Sequence, residues 1–289
     1  MKIMTLFVRH GTERFPHAFD ELRMIYQTQL PGVTWDAIVI DNKLDSRFQQ
    51  RISSNCVLIG GSNRSREFSA WQDGLNYMGN DLRKYDFVNL VTEAFGTLYT
   101  AYLKRFNEAM LSLAAGRAAA VGHIDYYNSP VTLLNRESQA WLRTSFVFLP
   151  PVELELLGPI VSFCGDEEQF SDDPQSPFQG DQLISRNFQQ YLLGWLTGSG
   201  TGQGVEWHSR FVLDVETMPL FKTKVFAILN EHMFSIRLRA QGCAMVDATW
   251  LATRSRAWRA EGQRLGVIPN WRYQLTERDN DAVPEDVLW

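Results

Sequence analysis

Ile3-Met4-Thr5-Leu6-Phe7-Val8, followed at once by Arg9-His10-Gly11, sets the reading of this chain. Five of the six residues are apolar, the run is too short for a helix, and a turn-like triplet ends it, so it reads as a buried strand. Working outward, the same unit returns. Residues 37–40 form a continuous apolar run closed by Asp41-Asn42, and residues 57–59 another before Gly60-Gly61. Residues 87–91, 118–121 and 144–149 are further strand candidates. Between them lie helical patterns. Residues 15–30 carry Phe19, Leu22, Ile25 and Tyr26 on one side and stop at Pro31-Gly32. Residues 66–78 place Phe68, Trp71 and Leu75 together, and a long helical stretch is expected from about 95 to 113. Strand and helix alternate over the first 120 residues or so, which predicts an α/β fold with a mostly parallel, Rossmann-like central sheet flanked by helices. Ligands of such sheets sit at the carboxyl ends of the strands. Here those ends carry His10, Asp41, Gly60-Gly61 and Thr92-Glu93.

The second half is less regular. Residues 165–180 and the Gly-rich 198–204 read as loops, 183–196 as a helix, and 250–262 as a basic helix with Arg254, Arg256 and Arg259, Arg264 following just beyond it. No linker cuts the chain, so one domain is expected over 1–289, with a first half to about 120, a second to about 250, then a helix and tail. A net charge of −5 argues against a nucleic-acid partner. No apolar run approaches the roughly 20 residues of a membrane span, and Met1-Lys2 leads straight into a strand. The three cysteines, Cys56, Cys164 and Cys243, lie far apart, as in a reduced cytoplasmic protein.

The stretch Asn230-Glu231-His232-Met233-Phe234-Ser235-Ile236-Arg237-Leu238 reads as the start of an amphipathic helix with a carboxylate in its first turn. Taken alone, such a Glu could serve only to complement the helix dipole. The segment also resembles the acidic motif of inverting GT-A glycosyltransferases of the large family-2 group, in which a carboxylate pair precedes Ser at +4 and Arg at +6. Glu231 then falls on the general base and Asn230 on the first acid. The resemblance extends over about residues 3–250 and implies a GT-A-like fold and transfer of a sugar from a nucleotide-diphosphate sugar, dTDP- or UDP-linked, to a glycan or lipid-linked glycan acceptor. The narrower match is to rhamnosyl-type enzymes of bacterial O-antigen and capsule synthesis.

That resemblance implies donor contacts from Arg9, His10 and Asp41 at the first two strand ends. It implies them also from Arg64 and Arg66 after Gly60-Gly61, whose backbone would approach phosphate, and from Thr92 and Glu93. Where the family carries a metal-binding Asp-x-Asp, this chain has Thr92-Glu93-Ala94. The expectation is therefore a transferase without a metal cofactor and with no metal-ligating residues. On the acceptor side it implies His123 and Asp125, Trp141 and Arg143 on a strand flooring the cleft over 139–146, and Trp207 with His208. The implied location is the cytoplasm, with peripheral contact to the inner membrane face or to other polymerase modules as a further partner.

Two rival readings stand beside it. Arg9-His10-Gly11-Thr12 also resembles the opening of histidine phosphatases, with His123 as the second histidine. There, however, Glu-Thr is the usual order where this chain has Thr12-Glu13, and the 231 segment would be unexplained. The other rival is a transferase-like binding module without activity.

Overall fold

The computed structural model describes residues 1–97, 100–164, 169–200, 210–260 and 266–280; of 256–260 and 279–280 it describes the backbone alone. Its centre is an eight-stranded sheet in the order β10-β6-β9-β5-β1-β2-β4-β3. The strands are β1 (Lys2–Arg9), β2 (Thr34–Asp41), β3 (Gln49–Ser53), β4 (Cys56–Gly60), β5 (Phe87–Thr92), β6 (Ala119–Gly122), β9 (Phe146–Leu149) and β10 (Ala244–Asp247). β1 pairs in parallel with β2 and β5, β2 with β4, and β10 with β6. β9 is antiparallel to β5 and β6, and β3 to β4. Six strands thus share one direction, and the expected mostly parallel α/β sheet is what the chain forms.

β1 shows why a continuous apolar run was needed. Ile3 and Phe7 face one core with Leu22 and Tyr26 of α1 (Ala18–Gln29). Met4, Leu6 and Val8 face the other with Phe68 and Trp71 of α2 (Arg66–Met78). Strand side chains alternate between faces, and here both faces are covered. Thr5, the polar exception, is satisfied at 2.7 Å by the buried Tyr26 hydroxyl, to which Asn89 also donates.

A hairpin of β7 (Ile124–Leu133) and β8 (Arg136–Leu142) stands apart from the main sheet. Its two-residue turn, Leu134-Asn135, has φ of 49° and 57°, the left-handed pair that matches the twist of two strands. α5 (Arg186–Thr197) and the 23-residue α6 (Met218–Ala240) enclose a third core beneath it. α3 (Glu108–Ala114), α4 (Pro151–Leu157), α7 (Ala248–Ala260) and α8 (Trp271–Asn280) complete the helices.

Three expectations are corrected. The stretch from 95 to 113 is not one helix: a 3-10 turn at Ala101–Arg105 precedes α3, and Asn107, extended at φ −155°, caps α3 by accepting from the Met110 amide at 3.0 Å. A capping Asn competes with helix continuation more strongly than apolar spacing reveals. Residues 139–146 are not one strand, because β8 ends at Leu142 and β9 belongs to the main sheet. Glu231 does not open a helix. It sits beyond the middle of α6, so a dipole-capping role is removed.

Candidate active site

A cavity of about 1370 Å³ opens where the strand ends meet α6. It is floored by Val8, Arg9 and His10 at the end of β1, Asn42 and Lys43 after β2, Asn63, Arg64 and Ser65 after β4, and Thr92, Glu93 and Ala94 at the end of β5. Another wall comes from the hairpin, with Asp125, Tyr126, Tyr127 and Trp141, and from the turn Arg143, Thr144 and Ser145. α6 closes it with Lys224, Ala227, Ile228 and Glu231. Such a volume accommodates a ligand larger than a typical drug.

α6 explains its own motif. Asn230 is fully buried; its Oδ1 accepts from the Ser162 and Phe163 amides at 2.7 and 3.0 Å, and its Nδ2 donates to the Phe163 and Phe226 carbonyls. An amide accepts and donates together where an ionised carboxylate could only accept, so the residue that falls on the first acid of the motif is a clamp here. Ser235 accepts from the Leu142 amide at 3.0 Å, fixing the end of β8. Arg237 donates to the Leu157 and Pro159 carbonyls at the end of α4, where helix carbonyls lack partners. His232 is fully buried between Tyr127 and Trp141, with Nδ1 3.1 Å from the Ser138 hydroxyl. Burial pushes its imidazole down to about 3, so it stays neutral.

Glu231 alone of this group faces the cavity. Its Oε1 accepts from the Thr144 amide at 2.7 Å and the Thr144 hydroxyl at 2.8 Å, while Oε2 has no hydrogen bond among the described residues. Burial pushes the carboxyl up to about 7 against the two Thr144 bonds; Asp125 adds to the rise and Arg143 opposes it. A carboxyl poised near neutrality, with one oxygen open, is the state a general base requires.

Beside it, Arg143 grips Asp125 through Nε–Oδ2 at 2.9 Å and Nη2–Oδ1 at 2.8 Å. Burial alone would raise the Asp125 carboxyl, but the Arg143 charge and the His123 contact hold it well below the carboxylate range. His123 does not line the cavity. It lies behind this pair, its Nε2 3.4 Å from Asp125 and its Nδ1 4.0 Å from the buried Asp247, with Tyr102 packed on the ring. The two histidines of the phosphatase reading therefore do not share this wall, since His10 lines it and His123 does not.

At the sheet edge the arrangement differs. Asp41 is 3% exposed, and its oxygens are already engaged. Oδ1 accepts from the Gly11 and Lys43 amides at 2.9 and 3.0 Å and Oδ2 from Arg9 Nε at 2.7 Å. Burial would raise its carboxyl, but those amides and the guanidinium outweigh it and hold it low. The expected direct contact of Asp41 with a nucleotide is corrected to a role in tying two strand-end loops together. Gly60 and Gly61 do not cradle the cavity either. Their amides bond to Phe48 and Asp41 carbonyls, and an added Cβ would meet the Asp45 carbonyl oxygen and the Asn42 Oδ1. They are glycines because the 42–45 loop passes so closely.

Comparison with known proteins adds little at this point. No protein-family model matches the sequence, and no curated protein matches it. One similar solved structure is the mannosyltransferase PcManGT from Pyrobaculum calidifontis in complex with GDP-Man and Mn2+. It is 12% identical, with 96% of this chain and 84% of that chain covered at a TM-score of 0.33. A likeness of that size carries no weight for site or substrate. It corrects the expectation of a transferase without a metal cofactor only in that the neighbour is itself a complex with GDP-Man and Mn2+. Among the described residues no three His, Cys, Asp or Glu side chains converge as a ready metal cage. Glu93 is the one carboxylate at the Asp-x-Asp position; it accepts from the His10 amide at 3.2 Å, and burial raises its pKa. One such oxygen donor falls short of the several a hard divalent cation needs.

Arg9, His10, Arg64, Arg66 and Thr92, the residues named as donor contacts, line the cavity. Trp141, expected on the acceptor side, lines it too, but its ring packs on Tyr127 and His232 and is 5% exposed, which leaves little open face for a sugar to stack on. Tyr126, 43% exposed, is the open ring on that wall. Trp207 and His208 lie outside the described residues. Arg254 is paired with Glu277 of α8 at 2.5 Å, and no helix among the described residues is long and apolar enough to cross a membrane. Sequence reading missed Thr144 as the partner of Glu231, although it stands beside Arg143. It also missed Lys224, whose signal was its place seven residues before Glu231 on the same helix.

Proposed function

We propose that this protein is an inverting glycosyltransferase that moves a sugar from a nucleoside-diphosphate sugar to a glycan hydroxyl within a single domain. Glu231 carries the reading: a desolvated carboxyl with one oxygen held by Thr144 and the other open to a large cavity at the carboxyl ends of a parallel sheet. The acceptor hydroxyl hydrogen-bonds to Oε2. Glu231 removes its proton as the oxygen attacks the anomeric carbon from the side away from the diphosphate. The carbon–oxygen bond to the diphosphate breaks in the same displacement, so the configuration inverts. Thr144 orients the base, and Arg64 and Arg66 face the departing charge. Asp41 acts indirectly, by holding Arg9, Gly11 and Lys43 in place.

Glu231→Gln is expected to cut turnover by about 10²–10⁴-fold, the usual contribution of a positioned base, and to leave donor binding unchanged. Donors are found by thermal shift against GDP-, UDP-, dTDP- and CMP-sugars with and without Mn2+. Equal loss of binding and turnover in the variant sinks the assignment. So does a protein stabilised by phosphate or vanadate alone.

A further inference from the structure

Lys224 and Glu231 are seven residues apart on α6, almost two full turns, so both project from one face and both line the cavity. The rise between them is about 10.5 Å. Two further cations of the cavity wall act on Lys224, and one of them, Arg66, lies 3.6 Å from the Glu67 carboxylate. Arg66, at the start of α2, and Arg14, after β1, are near enough to repel its ammonium, and Glu67 is the acid that offsets them. Burial and those two charges push Lys224 down to about 8. A half-buried wall that gathers cations attracts an entering anion. The backbone independently marks the same corner. Asn63 and Arg66, both lining the cavity, each have φ of 52°, a left-handed conformation that costs a non-glycine residue energy and collects at ligand sites. Asn42 reaches across from the end of β2 and donates to the Arg66 carbonyl at 3.3 Å, holding that turn.

Resting on the glycosyl-transfer reading, we infer that Lys224, Arg66 and Arg14 form a cradle for a diphosphate and that Lys224 is a catalytic residue meeting the charge of the leaving group. The spacing along α6 suits this. A hydrogen bond from base to acceptor and a near-attack gap to the anomeric carbon together take up roughly 6 Å. The departing phosphate oxygen lies just beyond, within reach of a long lysine side chain. As the anomeric carbon–oxygen bond breaks, its electron pair stays on the diphosphate oxygen, and the Lys224 ammonium donates a hydrogen bond to it. The proton from the acceptor remains on Glu231. One helix then carries both the group that receives the proton and the group that receives the negative charge.

The test is calorimetric titration of the full-length protein with inorganic pyrophosphate at fixed ionic strength, without divalent cations and again with Mn2+. Wild type is expected to bind saturably. Lys224→Met and Arg66→Met are each expected to weaken binding by about 10- to 100-fold, the loss of a charge-assisted hydrogen bond. Lys224→Arg should retain most of it, as should Lys84→Met, whose ammonium pairs with Asp81 away from the cavity. Unfolding curves matching wild type show that the variants are folded. No saturable binding by wild type, or equal binding by folded Lys224→Met, overturns the cradle. Pyrophosphate binding that depends on Lys224, with no nucleotide sugar turned over, keeps the cradle and sinks the glycosyl-transfer reading. Transfer unaffected by Lys224→Met keeps that reading and sinks the role given to Lys224.

Discussion

Asp41, the last residue of β2, lies behind the cavity wall and Glu231, on α6, lines it; the two carboxylates have opposite environments. Asp41 accepts three hydrogen bonds, one from a guanidinium, and its ionised form is favoured. Glu231 accepts two on a single oxygen, lies half-buried in the cavity wall, and is held near neutrality. The first is spent on architecture and the second is left available for chemistry. Hydrogen-bond saturation and desolvation, not residue type, separate them.

The sharpest break between them is in turnover, where Glu231→Gln should lose about 10²–10⁴-fold in steady-state assays. Stability should move the other way. Asp41→Ala strands the Arg9 guanidinium and two amides and should cost about 1–3 kcal/mol in denaturant unfolding. Glu231→Gln should stabilise the protein at pH 8 and do little at pH 4.5. The carboxyl is raised from 4.5 unfolded to about 7 folded, so the folded state prefers the protonated form and loses stability as pH rises through that window. Removing the ionisation restores on the order of 1–3 kcal/mol above pH 7. A variant no more stable than wild type at pH 8 contradicts the desolvated carboxyl.

Asn230→Asp, which would restore the paired acids of the GT-A motif, should destabilise by about 1–3 kcal/mol. It loses two donated hydrogen bonds and turns a carboxylate toward the Phe163 and Phe226 carbonyls. A gain in stability or activity would show that position to be chemical instead of structural. The smallest effect is a shift in pH profile. Arg143 lowers the Glu231 pKa and Asp125 raises it, so Arg143→Met leaves the second influence unopposed. The limb of kcat/KM that rises with pH should move to higher pH; movement to lower pH contradicts the pairing.

The parallel sheet was legible because a strand covered on both faces must be apolar throughout, and residues 3–8, 37–40, 57–59 and 87–91 are. The hairpin of β7 and β8 was less legible: its outer positions Asp125, Asn128, Ser129 and Thr132 break the apolar pattern, and a Leu134-Asn135 turn lacks the usual glycine. Within the α6 segment the residue types were visible, but their division of labour was not. Asn230, Ser235 and Arg237 spend their polar groups on loops 67 to 93 residues away in sequence, contacts that no local spacing encodes.

The sequence by itself determined the strand–helix alternation, the strand-end polar residues and Glu231 as the carboxylate to examine, because periodicity and turn chemistry are local properties. Tertiary structure alone decided that Asp41 is saturated, that Glu231 is desolvated with a free oxygen, and that Lys224, Arg66 and Arg14 converge. Hydrogen-bond saturation, burial and charge proximity depend on distances between segments far apart in the chain, and only packing sets those distances.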